Sequence, residues 1–350
     1  MTKADGDQKK ETKAAGAIAP GVRVAPSPHL SDADSTTRRM MFDVLFALTP
    51  VVGVAIVVFR WYAVVQVGLC VLCCMATEAV CAKMRRQRVP LDDYSAAITG
   101  VILGLSLPWS APWYVAVIGS VTAIGLGKVV FGGLGYNIFN PAMVGRAFVM
   151  LSFAKELGAS AFVVSEAKLA VLTRATPLSI AKQFAADLAA GNITSGETSL
   201  QFESAQAVWA MLVGQVNGSL GETSALALLA GGGYLFYRRV ISWEIPVGIF
   251  ATAVLFVELG HIAQMTPLNP LQHLISGSLL FGAFFIATDP VTSPLTSRGK
   301  LLFGVGIGLL VVLIRLFSGY PEGVMFAVLV MNSAVPLINR WTIPRPLGMS

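Results

Sequence analysis

The sequence predicts an all-α integral membrane protein of about ten transmembrane helices. Three observations predict it. The chain is 55% hydrophobic and only 13% charged, with a mean hydropathy of +0.70. Apolar segments recur from Phe42 to Ile338, each near the roughly 20 residues needed to cross ~30 Å of hydrocarbon. Basic residues gather in short clusters between those segments. A soluble domain of 350 residues needs far more charge to cover its surface. The net charge of +6 does not mark a nucleic-acid binder. Clusters that flank apolar stretches set membrane topology, not a phosphate-binding face.

The expected spans are 42–59, 63–82, 94–108, 112–130, 142–154, 224–237, 245–259, 272–288, 301–317 and 322–338. Arg38 and Arg39 precede the first span, and Lys83, Arg85, Arg86 and Arg88 follow the second. Lys128 and Arg146 bracket the turn between the fourth and fifth. Arg238 and Arg239 follow the sixth, Arg298 and Lys300 the eighth, Arg340 and Arg345 the last. With an inside N-terminus and ten spans, all of these fall on the cytoplasmic side. The opposite ends carry Trp61, Tyr62, Trp109 and Trp113, aromatics suited to an interface.

The domain organisation follows. Residues 1–40 are rich in Lys, Asp, Ala, Pro and Ser, lack the hydrophobic centre of a signal peptide, and are expected as a disordered cytoplasmic arm. Residues 41–154 form a first membrane half and 223–340 a second, with a cytoplasmic tail at 341–350. Five spans per half would invert the halves in the membrane and place sites where helices are interrupted. Equally, ten helices divide into two fives by accident, and no sequence repeat is evident. Between the halves, 155–222 is a long periplasmic excursion containing a helix pattern from Pro177 to Ala190, stopped by Gly191.

Thr176 is a natural N-cap for that helix, with Pro177 at its first position. The plain reading is a capped surface helix. The sharper one is a hydroxyl at a helix N-terminus, where a phosphate is stabilised, carrying a phosphodiester-linked cofactor. Gly132 to Arg146 reads GGLGYNIFNPAMVGR, irregular backbone at membrane depth that persists only when buried or lining a cavity. Asn137 and Asn140 each donate and accept, as the edge of an isoalloxazine ring requires; a tight re-entrant turn with no ligand is the alternative. Asp289, within ATDPVTSP, Glu78 in the second span and Glu222 before the sixth are candidate ion-path acids. Asp289 and Glu222 also have helix-capping alternatives. Cys70, Cys73 and Cys74 point different ways around one helix and read as small buried hydrophobes. His261 and His273 are expected at the outer interface.

GGLGYNIFNPAMVGRAF, the Ala-Thr-Pro-Leu from Ala175, GSLGETSAL from Gly218, ATDPVTSP from Ala287 and RLFSGYPEG from Arg315 occur in the order of one family. From about Ser27 to Pro346 the chain resembles the D subunit of the Rnf ion-translocating electron transport complex. It is also similar to the homologous B subunit of the Na+-translocating NADH:quinone oxidoreductase. The resemblance implies a translocase subunit of a bacterial inner membrane, inactive alone, with FMN bound covalently as a phosphoester at Thr176 and room for non-covalent riboflavin. It implies Na+ or H+ as the coupled ion, iron–sulfur and flavin subunits as partners, and a flavin transferase for maturation. It makes Thr173, Arg174 and Arg146 cofactor-side residues beside Asn137 and Asn140. Such transferases recognise a motif like Asp-x-Ser-Gly-Ala-Thr. Val171 to Thr176 lacks the acid and has Arg174 for the glycine, a guanidinium able to hold a phosphate bidentately. Total length, the Gly-Leu-Gly-Tyr-Asn loop and Thr-Pro-Leu favour Rnf over the quinone enzyme. A non-redox channel or secondary transporter, and a structural anchor for peripheral subunits, are the competing readings from other classes.

Overall fold

The computed structural model describes residues 36–87, 91–158, 176–189, 205–214, 216, 218–263, 265–318, 320 and 322–343. Every regular element among them is helical. In chain order they are α1 (Thr37–Phe59), α2 (Trp61–Met84), α3 (Ser95–Ser106), α4 (Trp113–Ile124), α5 (Pro141–Ser152), α6 (Ala154–Gly158), α7 (Pro177–Ala189) and α8 (Ala205–Val213). The second half continues with α9 (Ala225–Tyr237), α10 (Glu244–Ile262), α11 (Pro270–Ile275), α12 (Leu279–Phe281), α13 (Ser297–Phe317) and α14 (Val324–Thr342).

Five of these, α1, α2, α10, α13 and α14, are long and apolar enough to cross a membrane; α3, α4, α5 and α9 are shorter apolar helices. The first helix starts inside the expected polar arm, because the Thr36 side chain accepts from Arg39 N and caps it. The expected eighth span is not continuous. It is split into α11 and α12 by Ser276-Gly277-Ser278, where Gly277 takes φ +70, a left-handed conformation that glycine adopts without a Cβ penalty. A Cβ at Gly277 would also stand 2.8 Å from Glu322 Oε1 and 2.7 Å from Leu178 Cδ1.

Two helices end in π-helical turns, α4 at Gly125–Val129 and α12 at Gly282–Ile286. Such turns cluster at functional sites, and here one carries Lys128 and the other leads into Asp289. The halves pack alike: α2 lies on α4 and α4 on α5, while α10 lies on α13 and α13 on α14. α1 and α9 then join the halves. Asp43 on α1 accepts from Tyr234 Oη at 3.0 Å and from Arg238 Nη2 at 3.3 Å. The stretch before α9 docks on the end of α3, with Leu220 N donating to Leu107 O and Gly221 N to Leu105 O.

Candidate functional site

Two polar centres lie inside this helical body. The first centres on Lys128, 2% exposed, whose ammonium donates to Glu78 and to Ser95 Oγ. Glu78 therefore faces the bundle, not lipid. Lys128, Ser95, Asn137, Asn140, Thr288 and Asp289, together with apolar residues of α1, α3, α9 and the second π turn, line a cavity. The empty space there, its open mouth included, is about 760 Å³.

The two asparagines of the glycine-rich loop divide the work. Asn140 is committed to structure. Its Oδ1 caps α5 by accepting from Ala142 N and Met143 N, its Nδ2 donates to Ile286 O, and its N–H donates to Asn332 Oδ1. Asn137 donates to Phe139 O, but its buried Oδ1 has no partner among the described residues. A buried acceptor left open in a cavity wall costs about 1–3 kcal/mol unless a ligand or water fills it. Asp289 accepts from Val291 N and Thr292 Oγ1, both at 3.2 Å. These bonds close a turn and no helix starts there, so Asp289 is a turn acceptor and not a helix cap, and it lines the same cavity.

The second centre joins the two halves. Arg146, well inside α5, bridges two acids: Nη1 lies 3.4 Å from Glu222 Oε1 and Nη2 3.3 Å from Glu322 Oε2. Ser278 Oγ also donates to Glu322 Oε2. Arg315 is 5% exposed, with Nη1 on His273 O, Nη2 on Ser276 O and Nε unpartnered. The cap alternative for Glu222 is not adopted: Ser224 caps α9, and Glu222 turns inward.

These placements correct two sequence expectations. Lys128 and Arg146 are not surface markers of orientation; each is paired inside the protein, and the positive-inside rule applies only to charges that remain in the aqueous loops. His273 is not at an interface. It is 4% exposed, between Thr266 Oγ1 at 3.0 Å and Arg315.

Thr176 is half-buried at the head of α7. It accepts from Ser179 N at 3.3 Å, and its hydroxyl donates to Ser179 Oγ at 3.0 Å. Leu178 is 4% exposed and rests over Gly277 beside Glu322 and Arg315. Lys182 donates to Ser318 O and to Tyr320 O, and burial lowers its ammonium below the ordinary value. The helix headed by Thr176 is thus seated on the broken span and the second charge centre. Thr173, Arg174 and Gly191 lie outside the described residues.

Cys70 and Cys74 are fully buried, as small hydrophobes pack. Glu322, Arg315 and His273 drew no functional reading from sequence. The signal was available: Arg315 and Glu322 are ionisable residues bounding apolar spans, the condition that singled out Glu222.

The family model described as NQR2, RnfD, RnfE matches residues 23–348. The chain belongs to this family. It is 40% identical to the D subunit of the Na(+)-translocating ferredoxin:NAD(+) oxidoreductase complex of Acetobacterium woodii, over 93% of this chain and 95% of that protein. It is 38% identical to the D subunit of the proton-translocating ferredoxin:NAD(+) oxidoreductase complex of Clostridium ljungdahlii, over 93% and 96%. The D subunit of an ion-translocating oxidoreductase complex of Klebsiella pneumoniae is 39% identical over 93% and 99%.

Proposed function

We propose that this chain is the D-type membrane subunit of an Rnf ferredoxin:NAD oxidoreductase. It lies in a bacterial inner membrane with about ten spans, both termini cytoplasmic and α7 periplasmic. It carries electrons through FMN on Thr176 and riboflavin in the Asn137 cavity, and couples their passage to Na+ or H+ translocation. The family and the three full-length relatives support the class of complex. The similar neighbour order in the two halves supports five inverted spans in each. The observation that carries the site assignment is the seating of the Thr176 helix on a broken span and a buried charge network.

The residues present fit both groups. Thr176 Oγ1 sits at the N-terminus of a 13-residue helix, where the helix dipole favours the negative charge of a phosphoester. In the cavity, Asn137 Oδ1 offers an open acceptor, and Lys128 has one N–H beyond the two given to Glu78 and Ser95. One acceptor and one donor match the polar edge of a flavin ring, and the apolar wall matches its faces. Flavin supplies reversible electron uptake; the chain's own residues position it and set the charge around it. Other subunits of the complex supply and remove the electrons, and a flavin transferase attaches FMN.

Vesicles holding the whole complex should take up Na+ or H+ when ferredoxin reduces NAD. Asp289→Asn should lower ions moved per electron while flavin content stays constant, since it removes charge at the cavity rim with little change of shape. Electron transfer with no uptake in the parent vesicles would contradict the reading, and an unchanged ratio in the variant would remove Asp289 from the ion path.

A further inference from the structure

We propose that Glu222 and Glu322 hold one exchangeable proton between them, forming the proton site on the α7 side of the membrane body. The proposal rests on the reading of this chain as an ion-pump subunit and names the site that reading leaves open. Its first support is geometric. The two carboxyl groups are held on one guanidinium, with Arg146 Nη1 3.4 Å from Glu222 Oε1 and Nη2 3.3 Å from Glu322 Oε2. Two buried carboxylates gathered on one guanidinium repel each other when both are ionised, and a proton on one removes that repulsion. A proton shared by such a pair belongs to the pair, as in other coupled carboxyl dyads.

The second support is the unsatisfied polar chemistry around the pair. Arg315 Nε and Ser276 Oγ are buried without partners among the described residues. Gly277 lets Glu322 Oε1 and Arg315 Nη2 approach its backbone closely, at 2.8 and 3.3 Å from where its Cβ would stand. Access exists: the Arg146 and Glu322 side chains are 13% and 17% exposed, while Glu222 is 2%.

The cations facing the pair are Arg146 on α5 and Arg315 on α13. Ser219 and Ser278 add hydroxyl donors. With the proton in place, two cations face a single negative charge. Release breaks one carboxyl O–H bond and passes the proton to water at the exposed edge. The second carboxylate left behind balances the two guanidiniums, so the buried centre returns to neutrality. Leu178 and Lys182 hold α7 across this exit, which ties proton access to the helix that bears Thr176.

Infrared spectroscopy on the purified complex tests this directly. The wild type should show a protonated carboxyl C=O band that shifts on H/D exchange and disappears as pH rises. Glu222→Gln and Glu322→Gln should each abolish the whole band, since either leaves a single carboxylate on Arg146; Glu78→Gln should leave it intact. A band surviving both substitutions overturns the proposal. So does a wild-type complex with no titrating carboxyl band, which needs no variant to fold. Covalent flavin measured on the same samples separates the two claims. A band without flavin refutes the cofactor reading alone, and flavin without a band refutes the proton site alone.

Discussion

The first and second charge centres are built from the same chemistry and differ in what they connect. Glu78 and Lys128 both belong to the first half, and their side chains are 4% and 2% exposed. Arg146, Glu222, Glu322 and Arg315 tie the first half to the second, and two of their side chains reach the surface. A closed pair within one half fixes the π turn beside the cavity. The open cluster, across the halves and partly exposed, is the one we propose to exchange a proton. The difference teaches that burial of a charge does not by itself mark an ion path; position across a joint and access to water do.

The largest effect expected from this contrast is at the Glu78–Lys128 pair. Lys128→Met should cost about 3–5 kcal/mol, because it strands a buried carboxylate, whereas the double variant with Glu78→Leu should recover most of that loss. Thermal unfolding of the purified protein in detergent measures both. A double variant as unstable as the single one would mean that Lys128 is held by more than its charge partner.

Arg146→Met should cost less, about 2 kcal/mol, because Glu222 and Glu322 can share protons and one of them reaches water. The loss should shrink at low pH, where both acids are protonated without help, and grow at high pH. A pH-independent loss larger than that of Lys128→Met would reverse the comparison.

The smallest effect concerns the seat of α7. Lys182→Ala removes two bonds to backbone carbonyls, worth about 1 kcal/mol. It should speed hydrogen exchange in α7 and leave α13 unchanged. Equal exchange in both proteins would mean that Leu178 alone seats the helix.

Much of this architecture was legible in sequence because apolar length is a strong signal. The expected edges of α2, α3, α5, α9 and α10 lie within about three residues of those observed, and the capping of α7 by Thr176 followed from Thr-Pro alone. What escaped depends on contacts distant in the chain. Ser276-Gly277-Ser278 is short and mildly polar, so the eighth span reads as continuous in sequence; only the approach of Leu178 and Glu322 shows why the missing Cβ is needed there. Lys128 and Arg146 read as surface charges because their partners are 50 and 76 residues away. Asn137 and Asn140 look equivalent in sequence, and only the N-cap geometry of α5 separates the structural asparagine from the open one.

The central claim, that Thr176 carries the redox group, is tested most directly by flavin fluorescence on a denaturing gel. The subunit is produced in cells containing the flavin transferase, in parent form and as Thr176→Ala. Losing the cap costs only about 1 kcal/mol, so both should accumulate and fold. A fluorescent band is expected for the parent and a dark band of equal protein content for the variant. A dark parent band, or a variant that stays fluorescent, would contradict the claim.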